Sequence, residues 1–310
     1  MLICYRNCMR RTVCLLILIL VFTPISSVSG TQNDSDETTY EPIFGGASLA
    51  ANTSGAVEIP FSNLPALAED FTATWCDNCV YVEKALHEIA NETGAEVLHF
   101  HRNNDYEDPF GSDSGSSWWQ KRYDTGIPPT VVFNGEELEA GSVPEGDSLE
   151  EDYSALIARN IDIGDGDSQF TWVLATDNTT GVFSWSLQYN SSNPTFAERQ
   201  GVNSWLFIIE ESANFPEGSN GVEDYTHIVR EVIDLGLETE GMTTVTLPDA
   251  HDGDDITIML IHEFLPKVES DCCANEDTSD DSGFLPSISL FSTITVLAIT
   301  AMIRRKYCFD

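Results

Sequence analysis

Residues 70–79 read DFTATWCDNC and carry the most informative pattern in the 310-residue chain. The β-branched and aromatic residues that end near Thr74 predict a strand, and apolar residues recur at helical spacing from Val80 to Ile89. The two cysteines of this segment therefore lie between a predicted strand and a predicted helix. At a helix N-terminus, unpaired N–H groups and the helix dipole favour the thiolate form of Cys76. This position indicates a redox centre at Cys76 and Cys79.

Metal binding is the alternative for a pair of cysteines separated by two residues. A structural zinc site needs two further Cys or His ligands at suitable spacing, whereas Cys272 and Cys273 are adjacent to each other and far along the chain. A second alternative is ligation by His99, His101 and Asp105, although two histidines on one strand face are also an ordinary packing pattern. We predict neither a metal nor a cofactor.

A second segment, residues 126–132, reads GIPPTVV and predicts a proline turn that leads into a strand. Together with an aspartate six residues before Cys76 and a tryptophan directly before it, this order resembles the active site of the thioredoxin superfamily. The resemblance implies an α/β thioredoxin-like fold. It also implies that the chain carries out thiol–disulfide exchange.

The resemblance implies a role for each matching residue. Cys76 corresponds to the attacking thiol and Cys79 to the resolving thiol, and the two form a disulfide in the oxidised state. Asp70 corresponds to the buried acid that helps to deprotonate the resolving cysteine. Trp75 shields the site, and Pro129 corresponds to the cis-proline that faces the cysteines.

Two of these assignments have a neighbouring alternative. Glu69 adjoins Asp70 in the predicted strand and also carries a carboxylate. Pro128 adjoins Pro129, because the proline doublet departs from the single proline of the commoner family pattern. The sequence alone does not decide between the members of either pair.

A closer resemblance rests on DPFGS at residues 108–112 and PTVVFNG at residues 129–135. Both are similar to stretches of exported thioredoxin-like proteins of the twenty-eight-kilodalton outer-membrane-protein type. In that family a β-rich domain follows, and residues 225–230 resemble a stretch within it. The resemblance covers about residues 60–265 and implies an architecture more than a reaction.

The pattern of residue types divides the chain into two predicted domains. Strand and helix patterns alternate over residues 56–162, which favours an α/β thioredoxin-like domain. Short β-branched and aromatic runs separated by turn clusters over residues 168–268 predict an antiparallel β-sandwich. The polar residues 31–55 predict a disordered leader, and residues 269–283 an acidic stalk.

The two ends of the chain predict targeting to a membrane. Residues 1–30 have the charged, apolar and small-residue order of a signal peptide, with an uncleaved anchor as the alternative. Residues 284–303 are uncharged and long enough for a single transmembrane helix, and the basic residues 304–310 predict a cytoplasmic tail. A C-terminal sorting signal is an alternative for this end. The predicted localisation is therefore the cell membrane, with the bulk of the chain extracytoplasmic.

Charge excludes one class of partner. The formal net charge is −37, and all but one of the 51 acidic residues lie between residues 31 and 283. Nucleic acid is therefore excluded, since phosphate binding needs a basic surface. Such a surface is typical of a protein adapted to salt. An exported chain would also offer N-glycosylation sites, which are predicted at Asn33, Asn52, Asn91, Asn178 and Asn190.

These observations predict a membrane-anchored, extracytoplasmic thiol–disulfide oxidoreductase that acts on thiols or disulfides of exported proteins and needs a separate redox partner. The alternative is a non-catalytic surface or structural protein in which the Cys76–Cys79 disulfide only stabilises the fold. A third possibility is electron transfer to a second thiol pair, Cys272 and Cys273.

Overall fold

Twelve strands and four α-helices make up the fold in the computed structural model, which describes residues 40–103, 105–159 and 161–267. In chain order they are β1 (Ile43–Ala50), β2 (Gly55–Pro60), β3 (Leu67–Thr72), α1 (Cys79–Thr93), β4 (Glu96–His101), α2 (Asp113–Tyr123), β5 (Thr130–Phe133), β6 (Glu137–Ala140), α3 (Leu149–Ile157), β7 (Gly166–Leu174), β8 (Thr180–Tyr189), α4 (Pro194–Ala197), β9 (Val202–Asn214), β10 (Asp224–Gly236), β11 (Glu240–Thr246) and β12 (Ile256–Phe264).

The strands form two sheets. The larger sheet has eight strands in the order β1-β12-β9-β10-β4-β3-β5-β6, and the smaller has four in the order β11-β8-β7-β2. Pairing is antiparallel except at β3–β4 and β4–β10, which are parallel. The parallel pair β3–β4 is connected by α1, as a parallel connection requires a crossover.

Both faces of the larger sheet are covered near β3, whose six residues are all buried. Leu98 and Phe100 pack with α2, while Val97, on the opposite face of β4, packs with α1 and α3. Buried residues Val82, Leu86 and Ile89 give α1 an apolar side that faces the sheet. A strand covered on both sides carries a continuous apolar run, and any polar residue in it becomes buried.

The smaller sheet packs on the other end of the larger one. Leu206 and Ile208 of β9 pack with aromatic residues of β7 and β8, whereas Trp205 and Phe207 pack on the α2 side. Trp172 of β7 is fully buried in this interface.

A buried polar contact also connects the sheets. His262 of β12 lies between the hydroxyl groups of Ser168 on β7, at 2.8 Å, and Ser204 on β9, at 3.0 Å. Burial lowers the pKa of His262 to about 3, so this histidine is neutral in the folded protein.

The predicted fold class, an α/β thioredoxin-like domain followed by a separate β-sandwich, is wrong. The described residues are mostly β-sheet with few helices, and strands from both predicted domains share the larger sheet. In particular, Ile228 of β10 pairs with His99 of β4. Sequence periodicity indicates which segments form strands, but it does not indicate which strands pair with each other. Here β10 pairs with the edge of β4 that would be exposed if the second region were a separate domain. β1 lies within residues 31–55, which were predicted to be a disordered leader, and it is ordered there because it pairs with β12.

The membrane localisation predicted from the sequence is also corrected. Within residues 40–267 and their two single-residue gaps, no helix is long and apolar enough to cross a bilayer. The predicted span, residues 284–303, lies outside the described residues, as do the signal peptide, the acidic stalk and the basic tail.

Candidate functional site

The two cysteines of the redox motif form a disulfide in the segment between β3 and α1. Cys79 is the first residue of α1 and is fully buried, while Cys76 keeps 7% of its surface exposed. The residues between them, Asp77 and Asn78, are exposed. The backbone N–H of Cys79 donates to Sγ of Cys76 over 3.2 Å, so the start of the helix faces the outer sulfur.

A loop after β4 holds the disulfide segment from one side. The backbone N–H of Thr74 donates to the Asp108 carboxylate over 3.0 Å, and its hydroxyl donates to the carbonyl of Glu107 over 2.9 Å. The indole N–H of Trp75 donates to the Asp105 carboxylate over 2.7 Å. Trp75 packs against the two cysteines with Ala73. The predicted shielding by Trp75 is consistent with this position.

The segment between β9 and β10 holds it from another side. The backbone N–H of Asn220 donates to the carbonyl of Thr74 over 3.1 Å, and Tyr225 donates to the Asn220 side chain over 2.9 Å. A Cβ at Gly218 would lie 2.4 Å from the Tyr225 hydroxyl and 3.1 Å from the Thr74 carbonyl, so a side chain here would displace Tyr225. Residues from the second predicted domain therefore position the disulfide segment.

The proline turn lies at the same end of the sheet. The Pro128–Pro129 peptide bond is cis, which confirms Pro129 as the cis residue. Thr130, which follows it, pairs with Phe71 near the end of β3. The role of Pro129 in substrate binding stays a prediction.

Asp70 and Glu69 lie on opposite faces of β3, because neighbouring side chains alternate along a strand. Glu69 accepts hydrogen bonds from Trp118 and Tyr123 of α2, and its burial raises the pKa of its carboxyl group. Asp70 is fully buried on the α1 side, with Oδ2 2.9 Å from Nδ1 of His99. Of the two acids, Asp70 is the one that shares a face with the helix that begins at Cys79.

Glu83 completes a cluster with Asp70 and His99. It lies one turn after Cys79 on the same side of α1 and accepts a hydrogen bond from the Thr72 hydroxyl. Burial raises the pKa of Glu83. Burial alone would lower the pKa of His99, but the hydrogen bond and charge of Asp70 and the charge of Glu83 raise it instead.

His101 points to a different partner. Its Nδ1 lies 2.8 Å from Oδ2 of Asp108, while Asp105 binds Trp75, so the structure does not assemble the metal alternative of His99, His101 and Asp105. Burial alone would raise the pKa of Asp108, but His101 and two backbone N–H donors lower it. Asp108 is therefore ionised and organises the loop.

Sequence reasoning missed four residues that hold or border the disulfide segment: Glu83, Asp108, Asn220 and Tyr225. Glu83 had a readable signal, since it lies four residues after Cys79 in a predicted helix. The others come together only through tertiary contacts. Among the remaining predicted sites, Asn52, Asn91, Asn178 and Asn190 are exposed, whereas Asn33, Cys272 and Cys273 lie outside the described residues.

Comparison with known proteins adds little. No protein-family model matches the chain, and no curated protein matches it significantly. A crystal structure of a protein from Agrobacterium tumefaciens, solved by a structural genomics consortium, matches with 14% identity and a TM-score of 0.38. The match covers 59% of this chain and 78% of that one, and a score this low supports no argument about fold or function. Membership of the thioredoxin superfamily stays a prediction.

Proposed function

We propose that the protein is a thiol–disulfide oxidoreductase that exchanges disulfides with other proteins through Cys76 and Cys79. The observation that carries this proposal is the backbone N–H of Cys79, which lies 3.2 Å from Sγ of Cys76 at the first turn of α1. In the reduced protein, this donor and the helix dipole stabilise negative charge on the Cys76 sulfur. A stabilised thiolate is the nucleophile that disulfide exchange needs.

The different burial of the two cysteines supports an order of action for them. Cys76 retains some exposure and is flanked by exposed residues, so its sulfur meets the client first. Its thiolate attacks one sulfur of a client disulfide and forms a mixed disulfide, and the other client sulfur leaves as a thiolate that takes a proton from solvent.

Cys79 then resolves this intermediate. After it loses its proton, Cys79 attacks Sγ of Cys76, the Cys76–Cys79 disulfide forms, and the second client thiolate leaves. The client gains two electrons and the protein is oxidised. An external dithiol must return the electrons, and the reverse sequence oxidises a client dithiol. Exported proteins stay the predicted clients.

Reduction of insulin disulfides with dithiothreitol as the electron source tests the proposal. We expect the full-length protein to accelerate the reaction and Cys76→Ser to reduce the rate to that of dithiothreitol alone. Cys79→Ser should accumulate a mixed disulfide at Cys76, which mass spectrometry identifies. The double change Cys272→Ser, Cys273→Ser is the control and should retain the rate, because the proposed cycle does not use these thiols.

The assay should be run at low and high salt, because a net charge of −37 repels an acidic client unless it is screened. No turnover above dithiothreitol at either salt, or full turnover by Cys76→Ser, would overturn the proposal in favour of a structural disulfide. Loss of turnover in the Cys272/Cys273 control would instead support transfer through that pair.

A further inference from the structure

Four of the six histidines of the chain line one cavity of about 220 Å³: His87, His99, His101 and His227. Its walls come from α1, from β4 and from the start of β10, so it lies between the helix and the parallel β4–β10 junction. Glu83 also lines it. Imidazole and carboxylate groups around one cavity are the donors that divalent transition metals prefer.

Three side chains next to this cavity are close enough to share one ion. Asp70, Glu83 and His99 each offer a donor atom within 4.8 Å of the donors of the other two. Zinc binds nitrogen and carboxylate oxygen at about 2.0–2.2 Å, so small rotations of the side chains would close the set around one ion. Three protein ligands leave a fourth position for water or a ligand from the cavity.

An unpaired buried oxygen is a second, independent observation that points to a cation ligand. Asp70 is fully buried and its Oδ2 faces His99, but its Oδ1 has no hydrogen-bond partner among the described residues. A buried carboxylate oxygen without a partner is costly. Two carboxylates also face a single imidazole here, and a divalent cation would balance that negative charge.

We propose that Asp70, Glu83 and His99 form a binding site for a divalent transition-metal ion of the zinc class. The site differs from the metal alternatives considered in the sequence, because neither cysteine belongs to it and His101 and Asp105 have other partners. His87 lies one turn after Glu83 on α1 and lines the same cavity, so it is available as a further ligand. The proposal does not depend on disulfide exchange.

Calorimetric titration with Zn²⁺ tests the site. The full-length protein is oxidised, stripped with a chelator and titrated in high salt with excess Mg²⁺, so that screening and competition suppress ions held only by the acidic surface. We expect Glu83→Gln and His99→Gln each to weaken binding at least tenfold, a loss typical of altered metal sites. Glu88→Gln is the matched control, because Glu88 is exposed on the same helix, and it should retain wild-type affinity.

Co²⁺ spectra identify the ligands, because thiolate ligation gives an intense charge-transfer band that a histidine–carboxylate site lacks. We expect weak visible bands without that charge transfer, and their loss in Glu83→Gln. Circular dichroism checks that each variant is folded, and either of the two ligand variants is sufficient for the comparison. Equal zinc affinity in the wild type and a folded ligand variant, or a spectrum dominated by thiolate ligation, would overturn the proposal.

Discussion

The two ends of the eight-stranded sheet differ in what they bury. Around β3, β4 and α1, the buried residues include the ionisable groups Asp70, His99, His101 and Asp108, and the half-buried Glu83 lies beside them. At the other end, between β9, β12 and the smaller sheet, the interior is aromatic and aliphatic. The buried polar residues there include His262, held between the hydroxyl groups of Ser168 and Ser204, and Glu210, which accepts hydrogen bonds from backbone N–H groups.

Two buried histidines, one at each end of the sheet, show how this difference in surroundings affects a pKa. The pKa of His99 is raised because two carboxylates outweigh its burial, whereas the pKa of His262 falls to about 3 because burial is not opposed by charge. The same residue type is thus driven towards opposite charge states.

Trp172→Ala should cause the largest loss of stability, because it empties the centre of the sheet-covered end. Trp172 is fully buried and its indole N–H donates to the carbonyl of Ala51 over 2.9 Å. We expect the free energy of unfolding to fall by about 3–5 kcal/mol. Denaturant unfolding at fixed high salt measures it. Val173→Ala, at the exposed neighbouring position, should change it by only about 0.5 kcal/mol, and a loss below about 1 kcal/mol in Trp172→Ala would contradict the prediction.

Asp108→Asn should have an intermediate effect, at the helix-covered end. It removes a buried charge that accepts hydrogen bonds from two backbone N–H groups and contacts His101, so we expect a loss of about 2–3 kcal/mol in the free energy of unfolding. The exposed Asp165→Asn is the matched control and should have little effect.

The effect of Asp108→Asn should also depend on pH. The pKa of Asp108 is lowered in the folded state, so its contribution is complete above the ordinary value of 3.8 and is lost as the pH falls through the lowered folded value. Unfolding measured at pH 7 and near pH 3 should therefore show a smaller difference between wild type and variant at the lower pH. An equal difference at both would show that Asp108 acts through packing rather than charge.

The effect of His262→Gln should be the smallest, and it should appear as a change in the pH dependence of the free energy of unfolding. The folded pKa of about 3 lies below the ordinary 6.5, so the unfolded chain binds the proton first and stability is lost as the pH falls below 6.5. Between pH 7.5 and 5.5 the wild type should therefore lose about 1.4 kcal/mol more than the variant. The exposed His251→Gln controls for the removal of a histidine, and parallel curves for wild type and His262→Gln would refute the assignment.

Whether a feature could be predicted from the sequence depends on how far apart along the chain the residues involved lie. The pairing of Cys76 with Cys79, the helix that follows and the cis residue Pro129 were all predicted, because each depends on neighbours within one short segment. The predicted fold class was wrong, because β10 pairs with β4 across more than a hundred residues. Asn220 and Asp108 support the disulfide segment through contacts of this long-range kind.

The sequence by itself determined the local chemistry: two cysteines at a strand-to-helix junction, an acid in the preceding strand and a strongly acidic composition. Only the tertiary structure decided which face of β3 meets α1, and so separated Asp70 from Glu69. It also decided that His99 faces Asp70 and Glu83 instead of His101 and Asp105. The physical reason is that helix and strand periods fix the side on which a residue lies, whereas its partner is set by how sheets and helices pack.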